Sequence, residues 1–232
     1  MISFIVPAYN EEKYLGPTLA AIHSAAKEAG EDYEVVVADD SSNDATPAIA
    51  AQGGARVVTV QKRQISGTRN AGARGSTGDM LIFVDADTLV NGPLVVEAAA
   101  AMRAGAVGGG APVRFDSAPR WVSVFMIAFT PFYFRVGRWA AGCFVYCTRA
   151  AFEAAGGFDE TLYASEEIFF SQALKRLGRF VILRSRVTTS ARKAEGVSAF
   201  QMLWLVIRLI ARGPNGVRRR DGAIAFWYPD KR

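Results

Sequence analysis

Over roughly the first hundred residues, four short apolar, β-rich runs alternate with helical stretches, and no other feature of the chain restricts its fold as much. Residues 2–6, 34–38, 56–60 and 80–84 read as strands, since each is a brief apolar run bounded by polar or small residues. Between them, residues 15–29 carry Leu15, Leu19, Ile22 and Ala26 at helical spacing. Thr46 is the expected cap of a second helix with Pro47 in its first turn; residues 67–74 form a short helix and residues 94–103 another. Strand–helix alternation is satisfied by right-handed crossovers, which predicts an α/β fold. A single mixed, mostly parallel central sheet is expected, with helices on both faces.

The second half is less regular. Residues 106–115 read as one strand containing Gly108-Gly109-Gly110, followed by an aromatic patch over 121–134. Residues 142–147 and 179–183 are expected strands. Residues 149–155 form a helix stopped by Gly156-Gly157, and residues 166–177 a helix capped by Ser165 and closed by Gly178. Residues 199–211 are apolar and helical in pattern. The 232 residues fit one domain: residues 1–105 in the regular half, 106–198 in the irregular half, and 199–232 as an apolar helix with a basic tail.

Charge is placed unevenly. Residues 208–232 hold seven Lys or Arg and two Asp, which accounts for the whole net charge of +5. A basic tail beside an apolar helix suits an anionic membrane surface or, equally, plain solvation. The apolar patches at 121–134 and 200–211 fall short of the ~20 residues that span a bilayer. The first ten residues lack the basic start of a signal peptide. A cytoplasmic chain is expected, peripheral at the inner face of the membrane if the tail binds there. Cys143 and Cys147 read as core residues, with neither a disulfide nor zinc expected. His23 is the sole histidine and sits beside the apolar stripe of the first helix, which excludes Ser-His-Asp and His-metal chemistry.

In open parallel sheets, ligands bind beyond the carboxyl ends of the strands. Three of those ends deliver acids: Pro7-Ala8-Tyr9-Asn10-Glu11-Glu12, Asp39-Asp40-Ser41-Ser42-Asn43-Asp44, and Asp85-Ala86-Asp87. Clustered carboxylates need a counter-charge, and a hard divalent cation sharing its shell with phosphate oxygens supplies one. Asp39 and Asp40 can accept from the N–H edge of a nucleobase or form an Asx-turn. The small residues from Gly67 to Gly75 let backbone approach a ligand or a neighbouring helix, and Arg69 among them can pair with Asp39 or a phosphate. Glu166 and Glu167 either complement a helix dipole or provide a general base.

These motifs, with Arg69-Asn70-Ala71-Gly72, Gly156-Gly157-Phe158-Asp159-Glu160 and Glu166-Glu167 in order, resemble glycosyltransferase family 2 with the GT-A fold, over about residues 1–190. The resemblance implies an inverting transfer from a UDP- or GDP-sugar to an acceptor hydroxyl, with Mg²⁺ or Mn²⁺ on the diphosphate. It implies that Pro7, Tyr9, Glu11 and Asp39 line the nucleoside, with Ala8, Ser41, Gly67, Arg69 and Asn70 also at the substrate. Asp85 and Ala86 would lie at the ribose, with Asp85 and Asp87 as metal ligands. Gly157 and Phe158 would line the sugar and acceptor cleft. Glu167 matches the catalytic base and Glu166 the acid before it, where Glu-Asp is the commoner pair. A downstream histidine found in many relatives is replaced here by Thr188-Thr189-Ser190-Ala191-Arg192-Lys193, so Arg192 or Lys193 is expected at the diphosphate.

The acceptor is not legible; the aromatic patch suits a lipid-linked or apolar acceptor, a partner subunit, or core. No nucleic-acid partner is expected. The rivals are a sugar-phosphate nucleotidylyltransferase, disfavoured by Pro7-Ala8-Tyr9-Asn10 where a Gly-rich loop would stand, and a nucleotide-sugar-binding scaffold, disfavoured by the retained Asp87 and Glu pair.

Overall fold

A computed structural model describes residues 1–116 and 132–192. The aromatic patch before residue 132, Lys193, the 199–211 segment and the basic tail lie outside the described residues. The elements are β1 (Ile2–Ala8), α1 (Leu15–Ala29), β2 (Tyr33–Asp39), α2 (Thr46–Gln52), β3 (Arg56–Thr59), α3 (Ile65–Arg74), β4 (Met80–Val84), β5 (Thr88–Leu89) and α4 (Gly92–Arg103). The second half adds β6 (Ala106–Gly110), β7 (Val113–Phe115), a π-helical turn (Phe132–Gly137), β8 (Phe144–Thr148), α5 (Arg149–Ala154), α6 (Glu166–Leu177), β9 (Arg179–Ile182) and β10 (Val187–Thr189).

Seven strands form one sheet in the order β3-β2-β1-β4-β8-β6-β9. All run parallel except β8, which is antiparallel to both β4 and β6. Side chains alternate across it as a pleat requires. Phe4, Val6, Val37, Ile82 and Val84 face α1 and α4. Ile5, Leu81, Phe83 and Val145 face α3, α5 and α6 on the other side. Each fully buried aliphatic or aromatic side chain in these layers contributes about 1.5–3 kcal/mol. Because β8 runs against its neighbours, its amino end lies at the carboxyl edge of β4, with Val84 opposite Phe144, which brings Gly142 and Cys143 to that edge.

Three expectations change. The strand foreseen over 106–115 divides: β6 stays in the main sheet, whereas β7 joins a separate three-stranded sheet of order β5-β10-β7. Pro112 stands between them and has no N–H to continue the ladder. The β6 glycines are needed there, because a Cβ on Gly109 would collide with the Val181 carbonyl and the Tyr146 ring. Thr46 is the first helical residue, not the cap. Its hydroxyl accepts from Glu11 N–H at 2.7 Å, and Asp44 accepts from the Thr46 N–H at 2.9 Å. Ser165 adopts a left-handed φ of 61° and makes no capping hydrogen bond through its side chain. His23 is a structural bridge: its Nε2 donates to the Gly53 carbonyl at 2.7 Å, so Nδ1 accepts from Tyr33 at 2.8 Å. Cys147 is buried in the core and Cys143 packs against it; both are free thiols.

Candidate active site

The loops after β1 and β2 are stitched to each other. Asn10 N–H donates to Ser42 at 2.9 Å, and the Asn10 side chain accepts from Asn43 N–H at 3.0 Å. Asn10 and Ser41 both take positive φ, at 53° and 57°, which turns the two loops over the sheet edge. Pro7 and Ala8 close β1 opposite Ala38 and Asp39. The Tyr9 hydroxyl accepts from Arg63 at 2.9 Å. The Ser41 hydroxyl donates to the Val60 carbonyl at 2.6 Å, so it supports the loop.

Asp39 is only 2% exposed. Its Oδ2 accepts from Ser42 N–H at 3.3 Å, while Oδ1 has no hydrogen-bond partner among the described residues. A buried acceptor without a donor is unfavourable by about 1–3 kcal/mol, more if charged. Asp40 is spent within the fold: it accepts from the backbone N–H groups of Lys62 and Arg63 and from Thr68.

Arg69 is the buried centre of charge. It does not reach Asp39, as one reading of the sequence had it. Its Nη1 donates to Glu166 at 2.7 Å and its Nη2 to Asp85 at 2.8 Å and to the Gly142 carbonyl at 2.8 Å. Burial alone would lower its pKa, but Asp85 and Glu166 reverse that and raise it, so it stays charged. Breaking such a pair by removing one partner costs about 3–5 kcal/mol, because the other charge is left buried. Glu166 is therefore engaged in an ion pair.

The second member of the turn is held by a second arginine. Arg192 Nε donates to Asp87 Oδ2 at 2.8 Å, and its Nη2 meets Glu11 at 2.5 Å. Its guanidinium carbon also lies 4.4 Å from the Tyr14 ring centroid. Strand β10, too short for its pattern to be seen in sequence, pairs with β5 immediately after the Asp85-Ala86-Asp87 turn and so brings Arg192 back to it. The Ala86 side chain is buried and its carbonyl accepts from Thr18 at 2.8 Å.

Asp85 and Asp87 are hard oxygen donors of the type that suits Mg²⁺ or Mn²⁺. Among the described residues, however, no group of three or more His, Cys, Asp or Glu is placed to hold a metal. This donor set fits a cation bound by one or two carboxylates, with the remaining positions filled by phosphate and water.

Glu167 starts α6 beside Glu166, yet its environment differs. It makes none of the ion pairs seen among the described residues. Burial, then the Glu166 charge, push its carboxyl up to about 8, in the range of a general base. The Tyr133 hydroxyl, on the π-helical turn, donates to the Ala140 carbonyl at 2.9 Å and lies 3.4 Å from Glu167. Gly142 lies between Arg69 and Glu167, and a Cβ there would sit 3.5 Å from the guanidinium and 3.8 Å from the carboxyl.

Four residues expected at the ligand make contacts within the fold. Asn70 brackets Phe158, donating to its carbonyl at 2.8 Å and accepting from its N–H at 2.9 Å. Phe158 is 1% exposed and stacks with Phe83 and Phe170 beneath Arg69, so it does not wall a cleft. Gly157 takes φ 74° against the Asn70 amide. A Cβ on Gly67 would press on Lys62 and Glu160 at 3.1–3.2 Å. Tyr133 and Gly142 were not singled out in sequence: Tyr133 lay within the aromatic patch, and Gly142 opened the strand expected over 142–147.

The sequence model for "Glycosyl transferase family 2" matches residues 3–155. The undecaprenyl-phosphate 4-deoxy-4-formamido-L-arabinose transferase of Enterobacter sp. (strain 638) is 32% identical over 93 residues, covering 37% of this chain and 28% of that protein. The chain spans between 24% and 29% of the length of the curated relatives it matches. Among solved structures, Staphylococcus aureus TarS 1–349 with UDP-GlcNAc superposes with TM-score 0.66 at 22% identity, over 90% of this chain and 65% of that one. The mannosyltransferase PcManGT from Pyrobaculum calidifontis, with GDP-Man and Mn²⁺, gives 0.64 at 19% identity, over 97% and 68%. With the GT-A fold and this motif series, the chain belongs to glycosyl transferase family 2.

Proposed function

We propose that this chain transfers a glycosyl group from a UDP- or GDP-sugar to an acceptor hydroxyl, with inversion at the anomeric carbon. The observation that carries the reading is the contrast between two adjacent acids: Glu166 is neutralised by Arg69, while Glu167 has no ion-pair partner among the described residues and has its proton affinity raised. Glu167 takes the proton of the acceptor hydroxyl as that oxygen bonds to the anomeric carbon. The bond from that carbon to the diphosphate oxygen breaks, and the nucleoside diphosphate leaves with the electron pair. Attack from the face opposite the leaving group inverts the configuration, and no covalent intermediate is required.

The Asp39 oxygen that has no partner among the described residues supports a nucleobase N–H contact beside Tyr9 and the β1 loop. Asp85 and Asp87 would hold Mg²⁺ or Mn²⁺, which would offset charge growing on the leaving diphosphate. Arg192, bonded to Asp87 at the same turn, would face that diphosphate. A lipid-linked or apolar acceptor is favoured by the Enterobacter relative, which is named for undecaprenyl phosphate. Peripheral membrane contact through the basic tail, at the inner face of the membrane, would suit such an acceptor. No helix among the described residues is long and apolar enough to cross a membrane.

The test is Glu167→Gln assayed for transfer from a panel of UDP- and GDP-sugars, with donor affinity measured separately. Transfer should fall about 10²–10⁴-fold, the usual range for loss of a general base, with donor affinity retained. Full transfer by the variant would remove Glu167 as the base. A nucleotide-sugar-binding scaffold would bind donor and transfer nothing in either form.

A further inference from the structure

We propose that Arg192 is the resident counter-ion of Asp87, and that a divalent cation reaches this aspartate only by displacing it. The proposal rests on Asp87 being a metal ligand. Both Asp87 oxygens are engaged within the chain: Oδ2 accepts from Arg192 Nε at 2.8 Å, and Oδ1 faces the Thr189 hydroxyl at 3.5 Å. Arg192 is also held from two other directions, by Glu11 at 2.5 Å and by the Tyr14 ring. Its side chain is a quarter exposed, so it has room to leave.

Two consequences follow from the charges. A bare cation approaching Asp87 meets a fixed guanidinium, and like charges at contact distance repel strongly where water is partly excluded. A cation that arrives with a nucleoside diphosphate brings phosphate oxygens to which the guanidinium can transfer in bidentate fashion. Asp87 then passes to the metal and Arg192 to the diphosphate, so each member of the Arg192–Asp87 pair keeps an opposite charge beside it. Metal and nucleotide therefore bind with positive coupling, and linkage requires that each raises the affinity of the other by the same factor. Arg192 would thus guard the site against cations that come alone.

Binding of MnCl₂ in the absence of nucleotide tests this, measured by calorimetry or by the electron paramagnetic resonance signal of free Mn²⁺. The full chain would be compared with Arg192→Gln, Arg192→Lys and Asp87→Asn. Arg192→Gln is expected to bind Mn²⁺ about 5–150-fold more tightly than wild type, and to lose most of the enhancement that UDP or GDP gives wild type. Arg192→Lys, which keeps the charge without the fork geometry, should fall between them and guards against a folding defect in the glutamine variant. Unchanged, weaker or undetectable Mn²⁺ binding in Arg192→Gln overturns the proposal. If Asp87→Asn binds Mn²⁺–nucleotide as wild type does, the assignment of Asp87 as a ligand fails instead.

Discussion

Arg69 and Glu166 meet at 2.7 Å in the interior, and the same guanidinium reaches Asp85 through its other terminal nitrogen at 2.8 Å. One buried cation thus ties the start of α6 to the acidic turn after β4. The planar fork matters, since each terminal nitrogen serves a different carboxylate.

Replacing Arg69 by Gln should therefore lower stability by about 3–5 kcal/mol, because Glu166 would remain buried, and Asp85 half-buried, without their partner. Arg69→Lys should recover only part of this, since a single ammonium cannot reach both carboxylates and the Gly142 carbonyl together. Urea unfolding of the three proteins measures both effects. A lysine variant as stable as wild type would show that charge alone is needed there.

Glu167 should give the enzyme an alkaline requirement. Its carboxyl is pushed up to about 8 by burial and by Glu166, so the base form is scarce at pH 6 and transfer should rise as pH increases through about 8. The same shift acts on stability with a definite sign. Between an unfolded value near 4.5 and the raised folded value, the native state binds more protons than the unfolded state, so this group lowers stability as pH rises. Glu167→Gln should accordingly raise the melting temperature more at pH 8 than at pH 5 while depressing transfer at both. A variant that melts below wild type at pH 8 would contradict the assigned environment of this carboxyl.

Much of this architecture was legible because its cause is local. The apolar runs of β1, β2, β3 and β4 and the stripe of α1 follow from periodicity, and α6 was read with the bounds it has, Glu166–Leu177. What escaped has non-local causes. Strands β5 and β10 hold two and three residues, too few to show a period, and they exist because they pair with each other. The partners of Arg69 lie 16 and 97 residues away, so no spacing rule could choose Asp85 and Glu166 over Asp39. Phe158 looked like a cleft residue because its motif does, whereas its ring packs into a cluster assembled from β4, α5 and α6.

The loop leading into that cluster predicts a measurable coupling. Asn70 satisfies both backbone groups of Phe158, and Gly157 takes φ 74° with its missing Cβ only 2.7 Å from the Asn70 amide oxygen. Asn70→Ala should be destabilising by about 1–3 kcal/mol for each backbone group left buried and unsatisfied. Gly157→Ala should be destabilising by about 1–3 kcal/mol from backbone strain, with the clash in addition. The truncated Asn70 side chain no longer obstructs the new methyl, so the double mutant should lose clearly less than the sum of the two. Strict additivity would mean that the amide yields freely and does not clamp the loop.

Asp39 gives the sharpest separation of ligand binding from folding. Its Oδ1 is buried and has no donor among the described residues, although Oδ2 helps to close the loop through Ser42. If that oxygen is kept for the N–H edge of a nucleobase, Asp39→Asn places an amide where an anionic acceptor is needed. A hydrogen bond to a charged group contributes about 1.5–3 kcal/mol, so UDP or GDP affinity should fall about 10–100-fold. The unliganded variant should be as stable as wild type or more so, because a buried carboxylate with one unsatisfied oxygen has become neutral. Calorimetric titration with each nucleotide, beside thermal unfolding of the free proteins, reads the two quantities independently. Lower stability with undiminished affinity for both nucleotides would make Asp39 a loop brace and move the base contact elsewhere on the β1 and β2 loops.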